Sequence, residues 1–168
     1  MRKLILFSSL LAFLWSPLVA QEAVLTTEFH KSKRDALRAK MPANSVAVLF
    51  SNPVRNRAND VDYVYHPDPN FYYLTGFKEP QAVLVVYKNP LQDEQGQYVD
   101  QLFIQERNPS KEQWNGYRLG VEGAKVLGVD RVLLRSEFIK NQTNFTSFEE
   151  VLIFEFKNDV RDDKTDPY

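Results

Sequence analysis

Residues 82–105 read AVLVVYKNPLQDEQGQYVDQLFIQ, and the reading of this stretch decides the fold. Ala82 to Tyr87 is apolar at every position, as a strand covered on both faces must be. Asn89-Pro90 through Gly96 is a polar connection, and Tyr98 to Gln105 returns with Val99, Leu102, Phe103 and Ile104. Two β-rich runs joined through turn residues make a hairpin, so the sheet is at least partly antiparallel.

Working outward, Ser45 to Phe50 (SVAVLF) is a second buried strand, ending at Ser51-Asn52-Pro53. Ahead of it, the segment from Thr27, taken as N-cap, to Lys40 sets Phe29, Ala36, Leu37 and Met41 on one helical face. Pro42 stops that helix, and Lys31, Lys33, Arg34 and Arg38 read as its solvated face. Downstream, Val121 to Leu127 is a short helix closed by Gly128, and Val129 to Leu134 is a strand. Ser136 caps a helix running into the 140s, and Glu150 to Phe156 is a last strand. Helices and strands interleave throughout, which gives an α/β fold with a mixed central β-sheet flanked by helices.

Two polar stretches interrupt this pattern. Between Pro53 and Asp62 lie Arg55, Arg57, Asn59 and Asp60 without period, a loop feeding a short strand at Tyr63-Val64-Tyr65-His66. A turn at Pro67-Asp68-Pro69-Asn70 follows, then the aromatic run Phe71 to Phe77. Asn108 to Arg118 is an exposed loop around Trp114, with Gly116 and Gly120 near its end.

The whole chain has 168 residues, 43% hydrophobic and 26% charged, enough for one domain with a sizeable core. Lys and Arg number 21 against 22 Asp and Glu, so no basic excess points to nucleic acid. Cysteine is absent, which removes disulfides, zinc–thiolate sites and cysteine nucleophiles. At the N-terminus, Arg2 and Lys3 precede an apolar run from Leu4 to Trp15 and a small-residue region ending at Ala20. This pattern is that of a secretory signal peptide over residues 1–20, since the run is shorter than the ~20 residues a membrane span needs. Its removal leaves an exported protein, periplasmic or secreted, without a membrane segment.

Catalytic equipment is sparse. Only His30 and His66 supply imidazole, and both read as surface residues. The acidic run from Asp159 to Asp166 lacks the glycine of a calcium loop. No G-x-S-x-G elbow, phosphate-binding loop or dinucleotide fingerprint is present. What remains is arginines, carboxylates and aromatics in the two polar stretches, which is binding equipment without a catalyst. Composition and spacing alone favour ion pairing of Arg57, Asp60 and Arg118 and a core-edge cap by Trp114 over a binding role.

The segment Arg57-Ala58-Asn59-Asp60-Val61-Asp62-Tyr63-Val64-Tyr65-His66, followed by Phe71-Tyr72-Tyr73-Leu74-Thr75-Gly76-Phe77-Lys78-Glu79-Pro80, resembles the N-terminal domain of Xaa-Pro aminopeptidases. The likeness continues through Gln81 to Val86, through Glu112-Gln113-Trp114-Asn115-Gly116-Tyr117-Arg118-Leu119-Gly120 and through Leu127-Gly128-Val129-Asp130. It covers about Thr27 to Phe156.

That resemblance implies a two-domain metallo-exopeptidase that removes the residue preceding proline. The domain here would stand in front of a larger pita-bread catalytic domain. Two divalent ions, usually manganese, are held in that second domain by two Asp, a His and two Glu. It further implies that the first domain shapes the substrate cleft and builds a homo-oligomer. By motif position Asp60 and Trp114 approach the active site, the Trp from a neighbouring subunit, and Arg118 lies in the same W-x-G-x-R run. His66 departs from the pattern, standing where relatives often have Arg. The expected organisation is a signal peptide at 1–20, the aminopeptidase P N-terminal domain at 21–156, and a linker or tail at 157–168 leading to a catalytic domain absent from this chain. On that reading this segment is inactive alone, binds no metal and acts on proline-containing peptides. A stand-alone, non-catalytic peptide-binding or regulatory domain is the other reading.

Overall fold

The computed structural model describes residues 25–140 and 144–154. The expected signal peptide and the linker at 157–168 lie outside these described residues. The strands in chain order are β1 (Ser45–Phe50), β2 (Asn56–Ala58), β3 (Val61–Asp62), β4 (Val83–Asp93), β5 (Gly96–Ile104), β6 (Arg131–Leu134) and β7 (Glu150–Ile153). The helices are α1 (Thr27–Lys40), α2 (Pro69–Thr75), α3 (Pro109–Asn115), α4 (Gly120–Ala124) and α5 (Arg135–Ile139).

Five strands form one mixed sheet in the order β6-β5-β4-β1-β7, and β2 pairs with β3 separately. The hairpin β4–β5 is antiparallel, with Val83 opposite Phe103, and β1 runs antiparallel to β4, with Val48 opposite Val85. The outer strands are parallel additions, Ala47 opposite Leu152 and Leu102 opposite Val132. The mixed α/β architecture expected from the sequence is therefore the one observed. Strand β4 extends past the Asn89-Pro90 pair, where a polar connection was expected, because the ladder shifts register between Val86 and Leu91. Such an irregularity accommodates a proline that cannot donate to the ladder.

Side-chain alternation divides the core into two layers. Ala47, Leu49, Leu84, Val86, Leu102 and Ile104 face Met41, Phe71, Leu74 and Ala124 on one side. Val46, Val48, Val83, Val85, Tyr87 and Phe103 face Phe138, Phe145 and Phe148 on the other. Covering both faces is what made the strand sequences apolar without interruption.

Helix α1 has its expected bounds, but Thr26 rather than Thr27 caps it, accepting from the Phe29 N–H at 3.2 Å. At its other end Lys88 Nζ donates to the Arg38 and Ala39 carbonyls at 3.0 and 3.1 Å, as a cation at a helix C-terminus does. Two polar assignments on α1 are corrected. Arg34 is 2% exposed, and its Nε donates to Asp100 Oδ2 at 2.6 Å while its two other nitrogens donate to the Leu74 and Gly128 carbonyls. His30 is 4% exposed, its Nδ1 lying 2.9 Å from the Tyr73 carbonyl oxygen and its ring packed on Gly76. A side chain on Gly76, whose φ is +71°, would come within 2.8 Å of His30 Nε2. That glycine is required both by the left-handed cap it makes to α2 and by this approach.

Helix α2 replaces the expected turn and aromatic run. Asp68 Oδ1 accepts from the Phe71 N–H at 2.8 Å, and Pro69 opens the first turn. Residues 63–66, expected as a short strand, are not in one; a small hairpin, β2–β3, precedes them instead. Helix α5 ends at Ile139, before the 140s.

Candidate functional site

Asp60 sits at the tip of the β2–β3 hairpin, in the two-residue turn after Asn59, whose φ is +52°. Asn56 holds that turn from below, its Nδ2 donating to the Asn59 and Val61 carbonyls and to Asp62 Oδ1. The tip is exposed. Among the described residues neither Asp60 nor Arg57 forms an ion pair, so the Arg57–Asp60 bridge favoured by composition is not made.

Trp114 lies in α3, a helix where an irregular loop was expected, and is 88% exposed. It caps no core edge. Asn108 accepts from the Lys111 N–H at 3.1 Å and Pro109 takes the first turn, which starts the helix. Arg107 then ties the stretch together. Its Nε and one terminal nitrogen donate to the two Glu112 carboxylate oxygens, each at 2.9 Å, and its guanidinium stacks 4.4 Å from the Tyr117 ring centroid. Gly120, at φ +64°, presses on Arg107, where a Cβ would lie 2.7 Å from Cδ. The forked ion pair holds the Glu112 carboxyl below its ordinary value, with a further contribution from the Arg118 backbone N–H and the Arg118 charge.

Arg118 is half-buried, and among the described residues its guanidinium makes no hydrogen bond. It stands close enough to Tyr65 to act on that hydroxyl, whose pKa is raised chiefly by burial and further by the Asp68 and Glu79 charges. A Ser51 hydrogen bond and Arg118 oppose the rise. Asp60 and Trp114 share no hydrogen bond, and their joint role is not set by contact between them. His66 is exposed, and its carbonyl accepts from Asn52 Nδ2 at 3.0 Å.

Sequence reasoning passed over Glu79. Its Oε1 accepts from the Leu119 N–H at 2.7 Å, its carbonyl accepts from the Tyr65 hydroxyl at 3.2 Å, and its Oε2 is buried without a partner. Its signal was the E-P step closing the aromatic run, which carries no periodicity.

No group of three or more His, Asp or Glu among the described residues is placed to hold a metal ion. Nor is any described helix long and apolar enough to cross a membrane. The fold and site define a mixed-sheet α/β domain that presents two braced, exposed loops. A family model for the aminopeptidase P N-terminal domain matches residues 30–152, and the chain belongs to that family. It is 41% identical over 111 residues to the Xaa-Pro aminopeptidase of Escherichia coli, covering 66% of this chain and 24% of that protein. Over 109 residues it is 37% identical to intermediate cleaving peptidase 55 of Schizosaccharomyces pombe, covering 64% and 22% respectively. The solved structure of E. coli aminopeptidase P with the inhibitor Pro-Leu superposes with a TM-score of 0.67 at 34% identity, over 76% of this chain and 29% of that one. The chain thus spans about a quarter of the length of the curated relatives it matches.

Proposed function

We propose that this chain is the substrate-cleft and oligomerisation domain of an exported Xaa-Pro aminopeptidase, a protein that releases the N-terminal residue preceding proline. The observation that carries the reading is the exposure of Trp114. A large aromatic held outside the core on a braced helix costs apolar surface in water and repays it only against another molecule. Family membership supports a proline-containing peptide as the class of that molecule.

On this reading the two divalent ions that the family implies, manganese by resemblance, would be held by a C-terminal catalytic domain of the parent; among the described residues no group of three or more His, Asp or Glu could hold one. No step is assigned to them here. This chain's contribution is positioning. Asp60, exposed and without an ion pair among the described residues, offers a negative charge to the free amino group of the substrate. Trp114 supplies a flat apolar wall for a proline ring, from a neighbouring subunit if the parent is a homo-oligomer. Arg118 acts electrostatically on Tyr65 and Glu112. Orientation of this kind is worth orders of magnitude in rate without any bond being made or broken by the residues concerned.

The test compares this chain with the longer parent on a short Xaa-Pro peptide with added manganese. Activity in the parent alone is the expected result. Activity in neither, with the chain still binding the peptide, would favour a stand-alone peptide-binding domain. Export is tested by the N-terminal residue of the mature protein, expected to be Gln21.

A further inference from the structure

We infer that Glu79 is a positioning residue that couples the two exposed loops, so that displacement of one is felt by the other. Three observations converge on it. Its carboxylate oxygen Oε1 takes the Leu119 N–H at 2.7 Å and so fixes the end of the stretch that carries Trp114 and Arg118. Its backbone carbonyl takes the Tyr65 hydroxyl at 3.2 Å and so fixes the stretch that leads from the Asp60 hairpin. The second carboxylate oxygen is buried and, among the described residues, accepts no hydrogen bond, so the side chain's hold on the protein runs through Oε1.

The surroundings make the coupling rigid. Pro80 follows directly and its carbonyl accepts from Gln105 Nε2 at 3.0 Å, which seats this turn on the end of β5. Ser51, at the end of β1, accepts from the Ala82 N–H at 2.7 Å through its hydroxyl and donates its own N–H to the Ala82 carbonyl at 2.9 Å. The Tyr65 hydroxyl, whose pKa is raised chiefly by burial, feels both the Glu79 and Arg118 charges. Glu79 is thus anchored to the sheet on one side and holds a loop with each of its two acceptor groups on the other. The consequence for substrate handling rests on the functional reading above; the coupling itself does not.

The experiment uses the full chain carrying Trp15→Phe, which leaves Trp114 as its only tryptophan. Amide exchange at Leu119 and Trp114 fluorescence anisotropy are followed in Glu79→Ala, in Glu79→Gln, and in Tyr65→Phe with and without Glu79→Ala. Glu79→Ala is expected to speed Leu119 exchange by roughly tenfold or more, the loss of a hydrogen bond to a charged acceptor. It is also expected to lower Trp114 anisotropy, while the amides of Leu84 and Leu102 keep their protection. Glu79→Gln, which keeps an acceptor oxygen, should retain most of the Leu119 protection. Tyr65→Phe should loosen Leu119 and Trp114 in the Glu79 chain and have no further effect once Glu79 is Ala. Unchanged Leu119 exchange in Glu79→Ala, or an equal Tyr65→Phe effect in both backgrounds, overturns the coupling. Because the readouts need no substrate, intact coupling in a parent inactive on Xaa-Pro peptides would reject the functional reading alone.

Discussion

Arg34 Nε lies 2.6 Å from Asp100 Oδ2, with both side chains almost completely out of solvent, between α1 and the sheet. The pair is also a junction. The rest of the guanidinium holds the Leu74 carbonyl at the end of α2 and the Gly128 carbonyl before β6, while Asp100 Oδ1 accepts from the Asp130 N–H at 2.7 Å. Four chain segments, α1, the end of α2, β5 and the connection at 128–130 before β6, are thereby pinned around one ion pair. Removing the cation leaves a buried carboxylate without its counter-charge and takes the guanidinium donor from two carbonyls.

Arg34→Ala is therefore expected to destabilise the domain by about 3–5 kcal/mol, the usual result of breaking a buried pair from one side. A simultaneous replacement of both partners by apolar residues should recover part of that loss, since the uncompensated charge goes with them. Chemical denaturation of the three chains measures both quantities. A loss below about 1 kcal/mol in the single variant, the level of an exposed pair, would contradict the junction.

Why Arg34 escaped the sequence reading is physical. Among Lys31, Lys33 and Arg38 it belongs to a charge cluster, and nothing in helical periodicity marks one arginine whose partner lies 66 positions away. His30 was missed for the same reason, its partners being on α2. The central strands, by contrast, were legible because burial on both faces leaves no polar position to confuse the pattern. Helices α2 and α3 are seven residues each, too short for an amphipathic period to declare itself. Their signature was at the ends: Asp68-Pro69 with Gly76, and Asn108-Pro109 with Gly116, both pairing a side-chain cap and first-turn proline with a closing glycine. Asp60, Trp114 and Arg118 were singled out by motif resemblance, and their part in a cleft is the proposal made above. Glu79 was not, because its role depends on where two distant segments are brought.

Gly120→Ala tests the brace of the second loop. At φ +64° an alanine costs about 1–2 kcal/mol in backbone strain alone, and its Cβ would lie 2.7 Å from Arg107 Cδ. The expected outcome is a stability loss of at least about 1 kcal/mol with greater acrylamide quenching of Trp114 in a Trp15→Phe chain. Equal stability would mean that Arg107 yields without cost.

Acid should release the same loop. The Arg107–Glu112 pair holds the Glu112 carboxyl below its ordinary value of 4.5. A depressed folded-state pKa gives stabilisation that is present above the unfolded value and lost as pH falls through the folded one. Trp114 emission in a Trp15→Phe chain is therefore expected to stay constant from neutrality and to change only below about pH 4.5. Asp35 and Asp93, also held low by ion pairs, move stability in the same direction. The Glu112→Gln chain separates them: it should lose the acid change at Trp114 and keep the others, and persistence of that change would assign it elsewhere.

Asp60→Asn, at an exposed hairpin tip without an ion pair, should leave stability within about 0.5 kcal/mol of the parent. If the parent is the proposed Xaa-Pro aminopeptidase, the change is expected there to raise KM for peptides with a charged amino terminus, with a smaller effect on kcat. If KM and kcat both stay unchanged, Asp60 has no part in recognising that charge.

Trp114→Ala distinguishes an exposed side chain kept for recognition from one that is merely tolerated. Because Trp114 is 88% exposed, its truncation removes little buried area, and a surface change of this kind shifts stability by about 0.5 kcal/mol or less. A structural role would predict a lower denaturation midpoint and unchanged kinetics. A recognition role predicts the reverse: an unchanged midpoint and a fall in kcat/KM of roughly tenfold or more, because loss of a positioning contact is felt at the reacting bond. The fall should be larger for longer peptides, which reach further across the proposed wall, than for dipeptides. If a neighbouring subunit supplies the wall, mixing Trp114→Ala protein with protein disabled in its catalytic half should leave mixed oligomers partly active. Equal kinetics for both peptide lengths would remove Trp114 from the cleft.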